Sequence, residues 1–215
     1  MTRRQLLGWG ATGLLAAAGW QFGQAGYIHA KAWLAQGLLR GAWAGTLAGE
    51  RRVKPWPWAD TWPVARLQVP RLGIDEIVLA GASGRTMAFG PGHLDGTAAP
   101  GAPGVSVLSG HRDTHFEFLE RVKPGDRIRV QSSDGRWHEF RALAPRVMDA
   151  RHAALVLNAR EPLLTLVTCY PFRALLPDGP LRYVINAVPV APVGVQTGQA
   201  PSDPSEVGSA LSRRA

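Results

Sequence analysis

Cysteine is almost missing from this chain: Cys169 is the only one in 215 residues. A lone thiol cannot close an internal disulfide, and by itself it makes no protein metal site. Cys169 is therefore either an inert buried side chain or a nucleophile. Charge is scarce too, at 19% of residues against 46% hydrophobic, so the chain can build a real core. Acidic residues number 16 against 24 basic ones, a net charge of +8. That excess would suit nucleic acid, but the basic residues are scattered as single Arg or Arg-Arg pairs. There is no dense Lys/Arg run and no helix-turn-helix or zinc-finger spacing, so no nucleic-acid partner is expected. A basic surface near an anionic membrane is the preferred reading of the charge. Asp75, Glu76, Asp95, Asp113, Glu117, Asp134 and Glu161 are dispersed, without the spacing of a calcium loop. No metal and no cofactor are expected, and no internal repeat stands out.

What the N-terminus lacks is charge. Arg3-Arg4 precede an apolar run from Leu6 to Trp20 that continues more weakly through Phe22, Tyr27 and Ile28, with no charged residue before Lys31. At a 1.5 Å rise per helical residue this is long enough to cross a bilayer. Ala16-Ala17-Ala18 also offers a signal-peptide cleavage site, and Thr2-Arg3-Arg4-Gln5-Leu6-Leu7 loosely resembles a twin-arginine export signal. An uncleaved signal anchor over residues 1–28 is favoured. Arg3 and Arg4 keep its start in the cytoplasm and place everything after it outside.

Residues 29–61 read as a connector: a membrane-proximal helix over Ala32–Leu39, then the stiff Lys54-Pro55-Trp56-Pro57-Trp58. Trp33, Trp43, Trp56, Trp58 and Trp62 either sit at a membrane interface or pack on the domain. The folded domain is expected over 62–190. The 25 Gly and 17 Pro favour a loop-rich β protein. Val64–Val69 alternates with period two, and Glu76–Leu79 and Val105–Ser109 read as strands. Residues 81–104 read mostly as turns, and Phe116–Leu119 as a short helical turn. Arg127–Gln131 and Trp137–Ala142, joined through Ser133-Asp134-Gly135, form the strongest hairpin signal. Leu163–Thr168 and Leu181–Val188 are later strands. Many short strands with evenly spaced turns indicate an all-β closed or sandwich-like fold. Pro, Gly, Ser and Gln dominate 191–215, which reads as a disordered tail.

A thiol becomes a useful nucleophile when a neighbour takes its proton and a donor neutralises the developing oxyanion. His111 ends one predicted strand, Cys169 ends another, and Arg182 lies early in a third. Strand ends can converge on one rim of a barrel, as loop-borne function on a rigid scaffold commonly does. Each has competitors. Cys169 can be a structural thiol; His93 and His115 compete with His111, and Arg173 competes with Arg182. Asp113 can orient His111 or simply cap its turn.

Ser109-Gly110-His111-Arg112, Thr168-Cys169-Tyr170-Pro171-Phe172 and Arg182-Tyr183-Val184 resemble the His, Cys and Arg motifs of the sortases. Gly90-Pro91-Gly92-His93-Leu94 and Pro124-Gly125-Asp126 resemble further segments of that family in the same order. The resemblance covers about residues 64–188, and the Thr-Cys-Tyr-Pro-Phe form is most similar to the sortases of Gram-negative bacteria. It implies a closed eight-stranded β-barrel and a cysteine transpeptidase. Cys169 would attack the Thr–Gly bond of an LPXTG-like sorting signal on a partner protein, giving a thioester. Arg182 would hold the substrate and stabilise the oxyanion, and His111 would protonate the leaving amine. Thr168, His93 and Tyr170 are the candidate substrate-binding residues. An unidentified amine acceptor, or water, would release the product. The implied location is the inner membrane, single-pass, with the domain facing the periplasm.

Two other functions compete. A thiol hydrolase or cell-wall L,D-transpeptidase also uses Cys and His, but the latter's Cys follows Ser-x-Gly, whereas Val167-Thr168 precede Cys169 here. A non-catalytic envelope β-domain would leave Cys169 buried and far from His111 and Arg182.

Overall fold

The computed structural model describes residues 34–152, 162–174 and 179–190. The expected anchor (1–28) and tail (191–215) lie outside these. Among the described residues no helix is long and apolar enough to cross a membrane. A helix, α1, occupies residues 34–47. Nine strands follow: β1 (Pro63–Val69), β2 (Ile74–Ala80), β3 (Gly92–His93), β4 (Gly104–Ser109), β5 (Arg127–Ser132), β6 (Trp137–Ala142), β7 (Arg146–Asp149), β8 (Pro162–Cys169) and β9 (Leu181–Pro189). A one-turn helix, α2 (Gly84–Met87), interrupts the β2–β3 connection, and 3-10 turns lie at Pro70–Leu72 and Glu117–Arg121.

The strands pair in the order β6-β5-β1-β2-β3-β4-β8-β9, and β6 also pairs with β9, which closes an eight-stranded barrel. β7 adds to β9 outside that ring. Closure follows from the pattern of side chains. On β1, residues 63, 65, 67 and 69 are buried while those between are half-exposed, the signature of one face against a core. The interior holds Leu67, Val69, Val78, Leu108, Phe116, Ile128, Phe140, Leu164, Leu166 and Ile185. The Asp134-Gly135 turn joins β5 to β6 as expected, with Gly135 at φ 83° supplying the left-handed residue.

Two differences from the sequence reading matter. The helix expected to stop at Leu39 continues through residue 47 and is docked on the barrel. Leu39 and Trp43 pack on Ile77 and Leu79, with Phe89 beside them. Trp43 Nε1 also donates to Gln131 Oε1 at 3.4 Å, and Gln36 Nε2 to the Phe89 carbonyl at 3.1 Å. Burying two large apolar side chains of this kind contributes roughly 1.5–3 kcal/mol each. The second difference is β7, a short strand with no clear alternation. Met148 and Asp149 are half-buried while Arg146 and Val147 are exposed. It forms because Leu143 to Asp149 runs on beside β9, which is already in place to pair with it.

Candidate active site

The site is built where β4, β8 and β9 lie side by side. β4 and β8 are parallel and in register, with Ser109 opposite Val167. β8 and β9 are antiparallel, and Cys169 is the direct register partner of Arg182. On β8 and β9 Leu166 and Ile185 point into the core, so by alternation Cys169 and Arg182 share the outer face, and His111 follows two residues after the end of β4. All three are half-buried. The structure thus sets Cys169 directly beside Arg182 on β8 and β9, with His111 just past the end of the neighbouring β4.

Buried bonds hold that arrangement. Thr168 is 2% exposed, and its Oγ1 donates to the Gly110 carbonyl at 2.7 Å, tying the residue before Cys169 to the residue before His111. Gly110 N in turn donates to the Val167 carbonyl at 3.3 Å. A Cβ on Gly110 would stand 2.7 Å from the Phe116 ring, so only glycine lets the chain pass that buried aromatic. The turn after His111 closes through Phe116 N on the His111 carbonyl at 2.9 Å. Arg112 is buried and its Nη2 donates to the Ala174 carbonyl at 3.2 Å, joining the His111 turn to the loop after Cys169. Arg182 Nη1 donates to the carbonyls of Gly179 (2.6 Å) and Leu181 (2.9 Å), which fixes the guanidinium at the mouth of β9. Its Nε and Nη2 have no protein partner among the described residues, so donors remain for a ligand.

The competitors are placed elsewhere. His115 Nδ1 lies 3.2 Å from Glu76 Oε2, a partly buried pair on the β2 side. The Arg173 side chain is 90% exposed and among the described residues reaches only Glu120, at 3.9 Å. Asp113 is exposed. Among the candidate substrate residues, Thr168 is sealed inside by its bond to Gly110. His93 Nε2 lies 2.8 Å from the Ala98 carbonyl and 3.1 Å from Thr97 Oγ1. It lines a cavity of about 450 Å³ with Trp62, Pro63, Arg52 and the end of α1. No hydrogen bond among the described residues links it to His111, Cys169 or Arg182. Tyr170 stays at the site, stacked on Tyr183 at 6.1 Å and edge-on to Phe172 at 6.3 Å. Burial pushes the Tyr183 hydroxyl's pKa up, with the Glu120 carboxylate and Tyr170 acting in the same sense.

The Pro124-Gly125-Asp126 segment proves to be a brace. Asp126 accepts from Arg71 Nε and Nη2, both at 2.6 Å, and from the Lys123 amide at 2.7 Å. The Arg71 guanidinium holds its carboxyl below the usual range. Sequence reasoning assigned no role to Arg112 or Met148. Arg112 stands in a quoted motif, but nothing local shows that it bonds to a loop 62 positions away. Met148 is the register partner of Arg182 on the side away from Cys169. Among the described residues no group of three His, Cys, Asp or Glu side chains gathers in a way that could hold a metal ion.

A closed barrel of this kind has counterparts among known proteins. The sequence profile of the sortase domain matches residues 67–190. Sortase D of Bacillus subtilis (strain 168) is 29% identical over 120 residues, which is 55% of this chain. The chain spans 60% of that relative's length. Among solved structures, sortase A from Corynebacterium diphtheriae superimposes with a TM-score of 0.55 at 26% identity, covering 68% of this chain and 66% of that one. Sortase C-1 from Actinomyces oris gives 0.53 at 30% identity, covering 60% and 72%. With a family profile spanning the barrel from β1 to the end of β9, this chain belongs to the sortase domain family.

Proposed function

We propose that this protein is a membrane-anchored cysteine transpeptidase that cleaves an LPXTG-like sorting signal of a partner protein between Thr and Gly. Cys169 Sγ, as thiolate, attacks the Thr carbonyl carbon and forms a C–S bond. Arg182 offers its free donors to the carbonyl oxygen as negative charge develops there; a guanidinium stays charged at any working pH. His111 gives a proton to the departing Gly amine as the C–N bond breaks, leaving a thioester on Cys169. An incoming amine, deprotonated by His111, attacks the thioester, forms the new amide as the C–S bond breaks, and regenerates the thiolate and the protonated imidazole. Water in place of the amine gives hydrolysis and release of the partner.

One observation carries this reading: the register that sets Cys169 opposite Arg182, beside the parallel β4 whose end leads two residues on to His111. A buried structural thiol would need no such register. Thr168 then acts by position, since its hydroxyl is committed to Gly110. The anchor at residues 1–28, export of the domain to the periplasm, and membership of the Gram-negative branch belong to the same proposal. They rest on the uncharged run after Arg3-Arg4 and on the Thr-Cys-Tyr-Pro-Phe form.

The test is cleavage of a peptide containing an LPXTG-like signal by the full chain in detergent, with and without a primary amine. The expected result is Thr–Gly cleavage by the parent, an amide product when amine is supplied, and loss of both in Cys169→Ala on the order of 10³-fold or more. Equal cleavage by Cys169→Ala would refute the nucleophile assignment.

A further inference from the structure

The outer face of the barrel carries a run of arginines that begins at the active site and that the catalytic row does not use. Outward residues of β9 are 182, 184, 186 and 188, because Ile185 and Ala187 lie in the core. Across from Val184 stands Arg146 of β7, and across from Val188 stands Arg141 of β6. Arg141 is itself directly opposite Arg127 of β5. Directly opposed residues of an antiparallel pair project from the same face. Arg182, Arg146, Arg141 and Arg127 therefore follow one another along one outer surface. The distance from Arg182 to the level of Val188 is about 20 Å at ~3.3 Å per residue, the length of an extended segment of about six residues.

This surface is under-neutralised. Arg127, Arg141 and Arg146 are exposed, and Arg129 is half-exposed beside them. The carboxylate facing them is that of Glu139, 3.5 Å from Arg129 and 3.9 Å from Arg127. Arg141 and Arg146 have no ion pair among the described residues. By contrast, Arg66, Arg71, Arg136 and Arg151 elsewhere each hold an aspartate at 2.5–2.6 Å. Like charges placed directly opposite on neighbouring strands destabilise a sheet. Keeping Arg127 against Arg141 thus has a cost that an anionic ligand would offset.

We infer that this stripe holds an acidic stretch of the substrate protein next to its sorting signal, so that the enzyme selects partners by flanking charge as well as by the cleaved sequence. The inference rests on the sortase reading of the same site. Continuity with Arg182 favours a peptide over a lipid surface: a chain whose scissile bond lies at Cys169 passes Arg146 and then Arg141 if it runs along β9. The binding is electrostatic and mostly solvent-exposed, so it weakens as salt shortens the screening length.

The test uses the full chain in detergent and two peptides with the same LPXTG-like signal, one flanked by four Asp/Glu and the other by four Ser/Gln. The ratio of kcat/KM for the acidic over the neutral peptide is expected to be about tenfold at low salt and to approach one in 0.5 M salt. Arg141→Glu/Arg146→Glu inverts the ratio, while Arg85→Glu on α2 leaves it unchanged. A ratio near one at low salt, or the same ratio in the double variant, would overturn the proposal. So would retention on phosphatidylglycerol vesicles that the double variant loses while the peptide ratio stays put. Fluorescence anisotropy of the acidic peptide on Cys169→Ala reads the stripe without catalysis. Failure of the parent to cleave either peptide, with binding to Cys169→Ala intact, would indict the transpeptidase reading and leave the stripe standing.

Discussion

Two stretches of one barrel wall treat their outward-facing residues in opposite ways. On β2 the outward positions are Ile77 and Leu79, and α1 covers them with Leu39 and Trp43. On β8 and β9 the rim positions facing outward are Cys169 and Arg182, with His111 just past the end of β4, and all three are left half-open. The barrel interior is apolar behind both stretches. The outer face of a closed barrel is therefore free to vary: one side is sealed by a helix and the other is left half-open. The two roles are separable, and each prediction below tests that separation.

The largest effect falls on the open side. Arg182→Lys keeps the charge but loses the planar fork, and kcat/KM on a signal peptide should fall by about 10²–10³-fold. Urea unfolding should show little change, since among the described residues Arg182 bonds only neighbouring carbonyls. On the sealed side, Leu39→Ala empties a fully buried position and should cost about 2–5 kcal/mol in urea unfolding. Its kcat, measured on the folded fraction, should stay within about twofold because Leu39 packs on β2 and Phe89 and not on the strands that carry Cys169 and Arg182. A matching fall in kcat would break the comparison.

Thr168→Val lies between the two. It keeps the shape and removes the donor to Gly110, leaving a buried carbonyl unpaired at a cost of about 1–3 kcal/mol. A positioning role predicts that kcat drops while KM holds, and that Thr168→Ser restores kcat. A purely structural role predicts loss of stability alone. The smallest effect is at the start of β2, beside the sealed side. Arg66 holds the Asp75 carboxyl below its ordinary pKa through a two-pronged ion pair, with Gln68 assisting. A lowered carboxylate pKa adds stability above the ordinary value and loses it as pH falls through the lowered one. Asp75→Asn should cost about 0.2–1 kcal/mol at pH 7, given how exposed the pair is. The difference from the parent should vanish in acid, read by urea titrations between pH 7 and pH 2.

The sequence was most legible where periodicity and chemistry coincided. β1, the β5–β6 hairpin and β8 announced themselves through alternation, an Asp-Gly turn and an apolar run. His111, Cys169 and Arg182 stood in motifs at strand ends. β7 was not legible, because a four-residue strand with two exposed members carries no period and exists only beside β9. The docking of α1 was hidden for a related reason. Its apolar residues suit a membrane-proximal helix as well as a barrel-capping one, and only Ile77 and Leu79 decide between them. His93 was legible only by its place after Gly90-Pro91-Gly92; that its ring is engaged by Thr97 and Ala98 comes from the fold.

The central claim is that Cys169 carries the substrate as a thioester, and intact-mass analysis of the full chain tests it most directly. After brief incubation with an LPXTG-like peptide and an acid quench, the account predicts one added mass equal to the acyl half of the peptide. That mass should map to Cys169, be released by hydroxylamine and be absent from Cys169→Ala. Continued peptide cleavage with no adduct on Cys169, or an adduct that survives in Cys169→Ala, would contradict it.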